Sequence, residues 1–276
     1  MQSALITGGG DYIAFTIGRL KALPKDYSII VGTSAGALIA PLVAIKRLDK
    51  AEQIIENIAP EKIFNVNPFN EKGNINPFNA LKRIATGKRT IGENNNLPTL
   101  IKQVYTTGDH SKLVSGVVQV YVTVCNTQRA DYPGEIISLN TLDYEDAILY
   151  MWASASVPAV CSLVKIHEYE FCDGGTTLNV PVDFLVAKGA SSMDVFLHDT
   201  RPENEIKKPI KNIFNFVGRI LKWQRQKVQY DQLTSLSKEI GLKCYWLPYK
   251  PENHCLTFDK NIMEKYKQDG FNQMFL

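Results

Sequence analysis

Short apolar runs alternate along this chain with longer stretches whose apolar residues recur every three or four positions. Ala4-Leu5-Ile6-Thr7, Tyr27–Val31, Val117–Asn126, Glu135–Leu139 and Met193–Leu197 have the length and β-branched content of strands. Val164–Cys172 alternates apolar and polar residues around a turn, and Lys243–Leu247 reads as a last strand before a helical tail. Ile13, Ile17 and Leu20 share one helical face, and helical spacing returns over 37–48, 51–58, 99–105, 143–151, 178–187 and 206–240. Strands that alternate with helices predict an α/β protein.

Two stretches depart from that rhythm. Residues 60–98 are rich in turn formers: Asn67-Pro68-Phe69-Asn70 recurs as Asn76-Pro77-Phe78-Asn79, and Asn94-Asn95-Asn96 precedes Pro98. This reads either as an exposed irregular insertion or as a cap or lid whose Phe64, Phe69 and Phe78 line an apolar entrance. The second stretch is the 206–240 helix, where seven Lys or Arg and no acid lie between Lys207 and Lys227, with Trp223 among them. Such a helix suits two roles, covering the sheet and lying on an anionic membrane surface, and both can hold.

Composition narrows the classes. With 276 residues, 45% hydrophobic and 21% charged, the chain can build a sizeable core, and nothing demands a second domain. A net charge of +3 is too weak to imply nucleic acid as a partner. Five cysteines with no close pair argue against a disulfide framework and a structural zinc site, so the thiols read as reduced. Met1-Gln2 runs straight into the first strand with no secretion leader, which predicts a cytoplasmic protein, with peripheral membrane contact through the basic helix.

The candidate chemistry sits at strand ends. Gly32-Thr33-Ser34-Ala35-Gly36 follows an apolar strand and precedes a helix, the context in which Gly-x-Ser-x-Gly projects a nucleophile. Gly32 and Gly36 flank the turn without a Cβ to collide with strand or helix, and Ser34 stands where the helix dipole favours negative charge. Gly8-Gly9-Gly10 closes the first strand and offers amides for a phosphate or an oxyanion. Neither the Gly-Lys-Ser/Thr ending of a P-loop nor a dinucleotide fingerprint accompanies it. Asp173-Gly174-Gly175 ends the later hairpin with an acid at a sharp turn; near Ser34 it would serve as general base once burial raised its pKa. His110, His167, His198 and His254 lack a distinctive setting, although Ser34, Asp173 and His198 or His254 would respect a hydrolase triad order.

Taken together, Gly8-Gly9-Gly10, Gly32–Gly36, Ala153-Ser154-Ala155-Ser156-Val157-Pro158, and Asp173-Gly174-Gly175 ahead of Asn179-Val180-Pro181-Val182 resemble the patatin-like phospholipase family. The resemblance covers about residues 4 to 200 of one domain spanning 1–276, with a C-terminal helical region and last strand over 201–276. It implies a three-layer α/β/α fold around a mainly parallel sheet, and a metal-free, cofactor-free hydrolysis of lipid or phospholipid acyl esters. By the resemblance Ser34 is the nucleophile, Asp173 the base, Gly8, Gly9 and Gly10 the oxyanion hole, and Gly32, Gly36, Gly174 and Gly175 the supporting turns. The family usually carries a basic residue and then a glycine shortly after its triplet, where Tyr12 and Ile13 stand here. That departure keeps two alternatives open: a catalytically silent scaffold that binds lipid or protein, and a soluble esterase or thioesterase. The sequence does not specify an oligomeric state.

Overall fold

The computed structural model describes residues 1–70, 73–200, 231, 233–234, 240–248, 256 and 258–273. The basic helix expected over 206–240 lies outside the described residues, apart from Asp231, Leu233, Thr234 and Ile240. Among the described residues eight strands make one sheet: β1 (Gln2–Ile6), β2 (Ile29–Thr33), β3 (Gln119–Asn126), β4 (Gly134–Ser138), β5 (Val164–Ile166), β6 (Tyr169–Asp173), β7 (Ser192–Leu197) and β8 (Gly241–Trp246). Their order is β5-β6-β3-β2-β1-β7-β8, with β4 also paired to β3. Neighbours from β3 through β8 in that order run parallel, whereas β4 and β6 pair antiparallel with β3, and β5 with β6.

Helices cover both faces, and that explains the unbroken apolar runs of the central strands. Ala4, Ile6, Ile30, Val120 and Val122 pack in one buried cluster, while Leu5, Ile29, Val31, Tyr121 and Val195 pack in another. The first cluster includes α1 (Ile13–Ala22), α2 (Ala35–Ala44), α3 (Leu48–Asn57), α6 (Leu97–Val104) and α10 (Lys260–Asn272), and the second includes α9 (Val182–Ala187). Between these lie α4 (Pro60–Ile63), α5 (Pro77–Ala85), α7 (Thr107–Ser115) and α8 (Tyr144–Ser154). The architecture is the expected three-layer α/β/α sandwich with a mainly parallel core.

Several boundaries differ from the periodicity. The helix expected over 37–48 is two helices, α2 and α3, separated where Lys46 takes φ 60°. The helix expected over 178–187 begins only at Val182, after Pro181. Besides the single turn α4, two helices are not expected at all. One is α7, whose start is a capping box between Thr106 and Asp109 rather than an apolar stripe. The other is α5, which opens on the second Asn-Pro-Phe-Asn: Asn76 accepts from the amides of Phe78 and Asn79, and Pro77 stands in the first turn. The first copy forms no helix; Asn67 Oδ1 accepts from Phe69 N at 3.0 Å, and Phe69 pairs with Ile75 as an isolated bridge.

α10 docks on α1 through two glycines. A Cβ at Gly18 would lie 1.9 Å from Lys267 O, and one at Gly270 2.0 Å from Phe15 O, so only glycine admits this approach. Among the described residues no helix is long and apolar enough to cross a membrane.

Candidate active site

The turn from β2 to α2 holds Ser34 at φ 55° and ψ −125°, a backbone state that costs a non-glycine residue about 1–3 kcal/mol. Close packing on both sides maintains it. A Cβ on Gly32 would stand 2.5 Å from Gly36 O, and one on Gly36 2.2 Å from Ile6 O of the neighbouring β1. The Ser34 amide donates to Ser154 Oγ at 2.9 Å, a bond across from the end of α8. Ser34 is 9% exposed and sits at the start of α2, where the helix dipole stabilises developing negative charge.

Asp173 ends β6, opposite Val124 of β3. Its amide donates to Ser156 O at 2.9 Å, and its Oδ1 accepts from Gly175 N at 2.7 Å. The turn is pressed onto the sheet, since a Cβ on Gly174 would meet Thr123 Oγ1 at 2.3 Å. Thr123 Oγ1 in turn donates to Thr33 Oγ1 at 2.9 Å, beside the elbow. Ser154 and Ser156 therefore tie one small-residue segment to both Ser34 and Asp173. Its sequence signal is the run Ala153–Ser156, in which short side chains let three backbones converge.

The glycine triplet lies against both Ser34 and a histidine. A Cβ on Gly8 would stand 2.6 Å from Ser34 Cβ and 3.3 Å from Ser34 Oγ, and one on Gly9 2.3 Å from His198 Cβ. Gly10 has φ 55°, which suits a residue without Cβ. The Gly8 amide donates to Asn179 Oδ1 at 3.3 Å, so Asn179 links this loop to the segment after Asp173. No pattern in the sequence assigns Asn179 this role. We expect Gly8→Ala to lower stability by about 1–3 kcal/mol, because neither the Ser34 Cβ nor the strained turn can retreat. A urea midpoint matching the parent protein would show that the loop yields.

Of the described histidines, His198 borders the same cavity as Ser34 and Asp173, whereas His110 and His167 do not. His198 Nδ1 lies 2.8 Å from Thr7 O, a pure acceptor, so this nitrogen carries a proton, while Nε2 pairs with Thr16 Oγ1 at 2.7 Å. His110 lies between Tyr105 OH and Leu142 O, and exposed His167 pairs with Asp146. His254 lies outside the described residues. Tyr12 and Ile13, which depart from the family pattern, have packing roles. Tyr12 meets Tyr266 of α10 edge to face at 5.2 Å, and Ile13 lines the cavity that opens at the glycine loop.

Ser34 and Asp173 border that cavity, of about 550 Å³, along with Gly8, Gly9, Gly10 and Gly175. Leu38, Ile54, Ile58, Phe64 and Val157 supply an apolar lining. Phe69 packs edge to face on Phe64 at 5.9 Å rather than lining the space, and Phe78 is 75% exposed. Cys161 also faces the cavity, but burial pushes its thiol up to about 12, so it stays protonated and a poor nucleophile at neutral pH. Among the described residues no three His, Cys, Asp or Glu side chains are grouped to hold a metal ion.

Residues 5–186 match the family model described as Patatin-like phospholipase. Among solved structures the chain is similar to VipD from Legionella pneumophila, with 14% identity and a TM-score of 0.53, over 99% of this chain and 65% of that one. It also aligns with the type III effector protein ExoU at 13% identity and a TM-score of 0.36, over 98% of this chain and 53% of that one. This chain thus spans less than two thirds of the length of either. No curated protein sequence matches it significantly.

Proposed function

Because the chain belongs to the patatin-like phospholipase family, we propose that it hydrolyses acyl esters of lipids, with Ser34 as nucleophile and Asp173 as general base. One observation carries the reading: a serine on a strained strand-to-helix turn and a buried carboxylate border the same largely apolar cavity. A lipid acyl chain suits the apolar lining, and the ester carbonyl would then lie at the glycine end.

In this reading Ser34 Oγ attacks the carbonyl carbon while Asp173 takes the hydroxyl proton. The carbonyl oxygen becomes an anion, which the amides of the glycine loop and the start of α2 stabilise. Collapse breaks the ester bond, and Asp173 returns the proton to the departing alcohol. Water, deprotonated by Asp173, then releases the acid and restores Ser34. No metal or cofactor enters. Gly9 and Gly10 supply the oxyanion amides directly, because that of Gly8 already donates to Asn179; Gly8 places the loop. Gly32, Gly36, Gly174 and Gly175 permit the close turns that hold both reacting side chains.

The occupied Gly8 amide favours a second reading, a silent scaffold that binds lipid without cleaving it. A fluorophosphonate probe with intact-mass readout separates the two. One adduct, mapped to Ser34, together with fatty-acid release from phosphatidylcholine, is the expected result. Folded protein that takes no adduct would leave the scaffold standing. Turnover of a short chromogenic ester with none of phospholipid would favour a soluble esterase.

A further inference from the structure

Helix α5 is built inside out. At 3.6 residues per turn, Phe78, Leu81, Ile84 and Ala85 fall on one side, with Arg83 roughly opposite. In a helix packed on its own protein the apolar side faces inward. Here no residue of α5 is buried, and Phe78, Leu81 and Ile84 are 75%, 67% and 64% exposed, with Ile75 just before the helix at 45%. The polar side makes the attachment: Arg83 donates to Thr90 O at 2.7 Å and to Glu93 Oε1 at 2.6 Å. That bond is the main reason the Glu93 carboxyl is held below the usual carboxylate range. Polar contacts on one side of the helix thus hold an apolar ridge outward on the other.

The charge around the ridge selects its partner. From Gly73 to Gly92 there are four Lys or Arg and no acid. Arg83 and Arg89 pair with Glu93 and Glu170, whereas Lys82 and Lys88 are exposed with no ion pair among the described residues. A second copy of this chain would bring like charges together, but a leaflet with anionic headgroups matches both the apolar side chains and the lysines. The segment is also fastened beside the cavity: Ile91 N donates to Ala159 O at 2.8 Å, next to Val157 and Pro158 of the lining. We infer that α5 docks this protein onto the surface of an anionic lipid bilayer, inserting Phe78, Leu81 and Ile84. The inference goes beyond the hydrolase reading and does not rest on it.

The test is co-flotation of the full chain carrying Ser34→Ala, so that no lipid is consumed, with vesicles of phosphatidylcholine alone or mixed with phosphatidylserine. Preferential binding to the mixed vesicles is expected. Phe78→Ser/Leu81→Ser/Ile84→Ser lowers that partitioning by about tenfold or more, and Lys82→Gln/Lys88→Gln lowers only its phosphatidylserine-dependent part, by about fivefold per lysine. Circular dichroism reports whether the variants fold. Should the triple variant unfold, the lysine pair decides alone. Binding that survives the substitutions, or no binding by the parent protein, overturns the inference. So does a parent dimer that the triple variant turns into a monomer, since the ridge would then join two copies.

Discussion

Ser34→Ala is expected to cut acyl-ester hydrolysis by at least about 10⁴-fold while leaving the fold in place. The size follows from the chemistry, because removing Oγ removes the atom that forms the covalent intermediate. Cys161 borders the cavity, but burial keeps its thiol protonated. The fold should hold because two backbone bonds anchor this position: the Ser34 amide on Ser154 Oγ, and the Ser34 carbonyl receiving the Ala37 amide at 2.9 Å. Alanine retains both. The measurement is the rate of fatty-acid release from phosphatidylcholine vesicles, with fluorophosphonate labelling as a second readout. A variant that keeps a tenth of the parent rate would remove Ser34 from the mechanism.

Asp173→Asn should lower the same rate by about 10²- to 10⁴-fold, the range that a positioned general base contributes. Asparagine has nearly the same shape, and its Oδ1 can still accept the Gly175 amide that now bonds to Asp173 at 2.7 Å. The backbone bond to Ser156 O is untouched. A normal circular dichroism spectrum with a collapsed rate is therefore the expected pair of results. Fluorophosphonate labelling should slow with it, because Ser34 loses its proton acceptor. An unchanged rate would mean that another group deprotonates the serine. His198 could fill that place only by giving up its contact with Thr7 O or Thr16 Oγ1.

The insertion shows how local sequence misleads. Two identical tetrapeptides, Asn67–Asn70 and Asn76–Asn79, take different structures. In the second, Asn76 caps α5 and Pro77 starts it; in the first, Phe69 bends back to pair with Ile75 and pack on Phe64. Asparagine before proline signals a turn and a helix start equally well, because both use the same side-chain bond to a nearby amide. The residues on the C-terminal side of each copy decide between them. Ala80 to Ala85 can propagate a helix, whereas the first copy soon reaches Gly73 at φ 72°. That Phe78, Leu81 and Ile84 share one helical face, and that this face turns outward, only the structure shows.

Local sterics explain what the sequence determined by itself. Strand-forming runs, the glycine-flanked turn at Ser34 and the alternation of strand and helix depend on residues within a few positions of one another, and so does the α/β class. Tertiary structure alone decided that Ser154 receives the Ser34 amide from 120 positions away and that Asn179 takes the Gly8 amide across 171. It also decided that His198 lies bonded beneath the glycine loop, and that α5 turns its apolar side to solvent. Such contacts join side chains brought together only when distant strands pair, and no periodicity along the chain records which of them will meet.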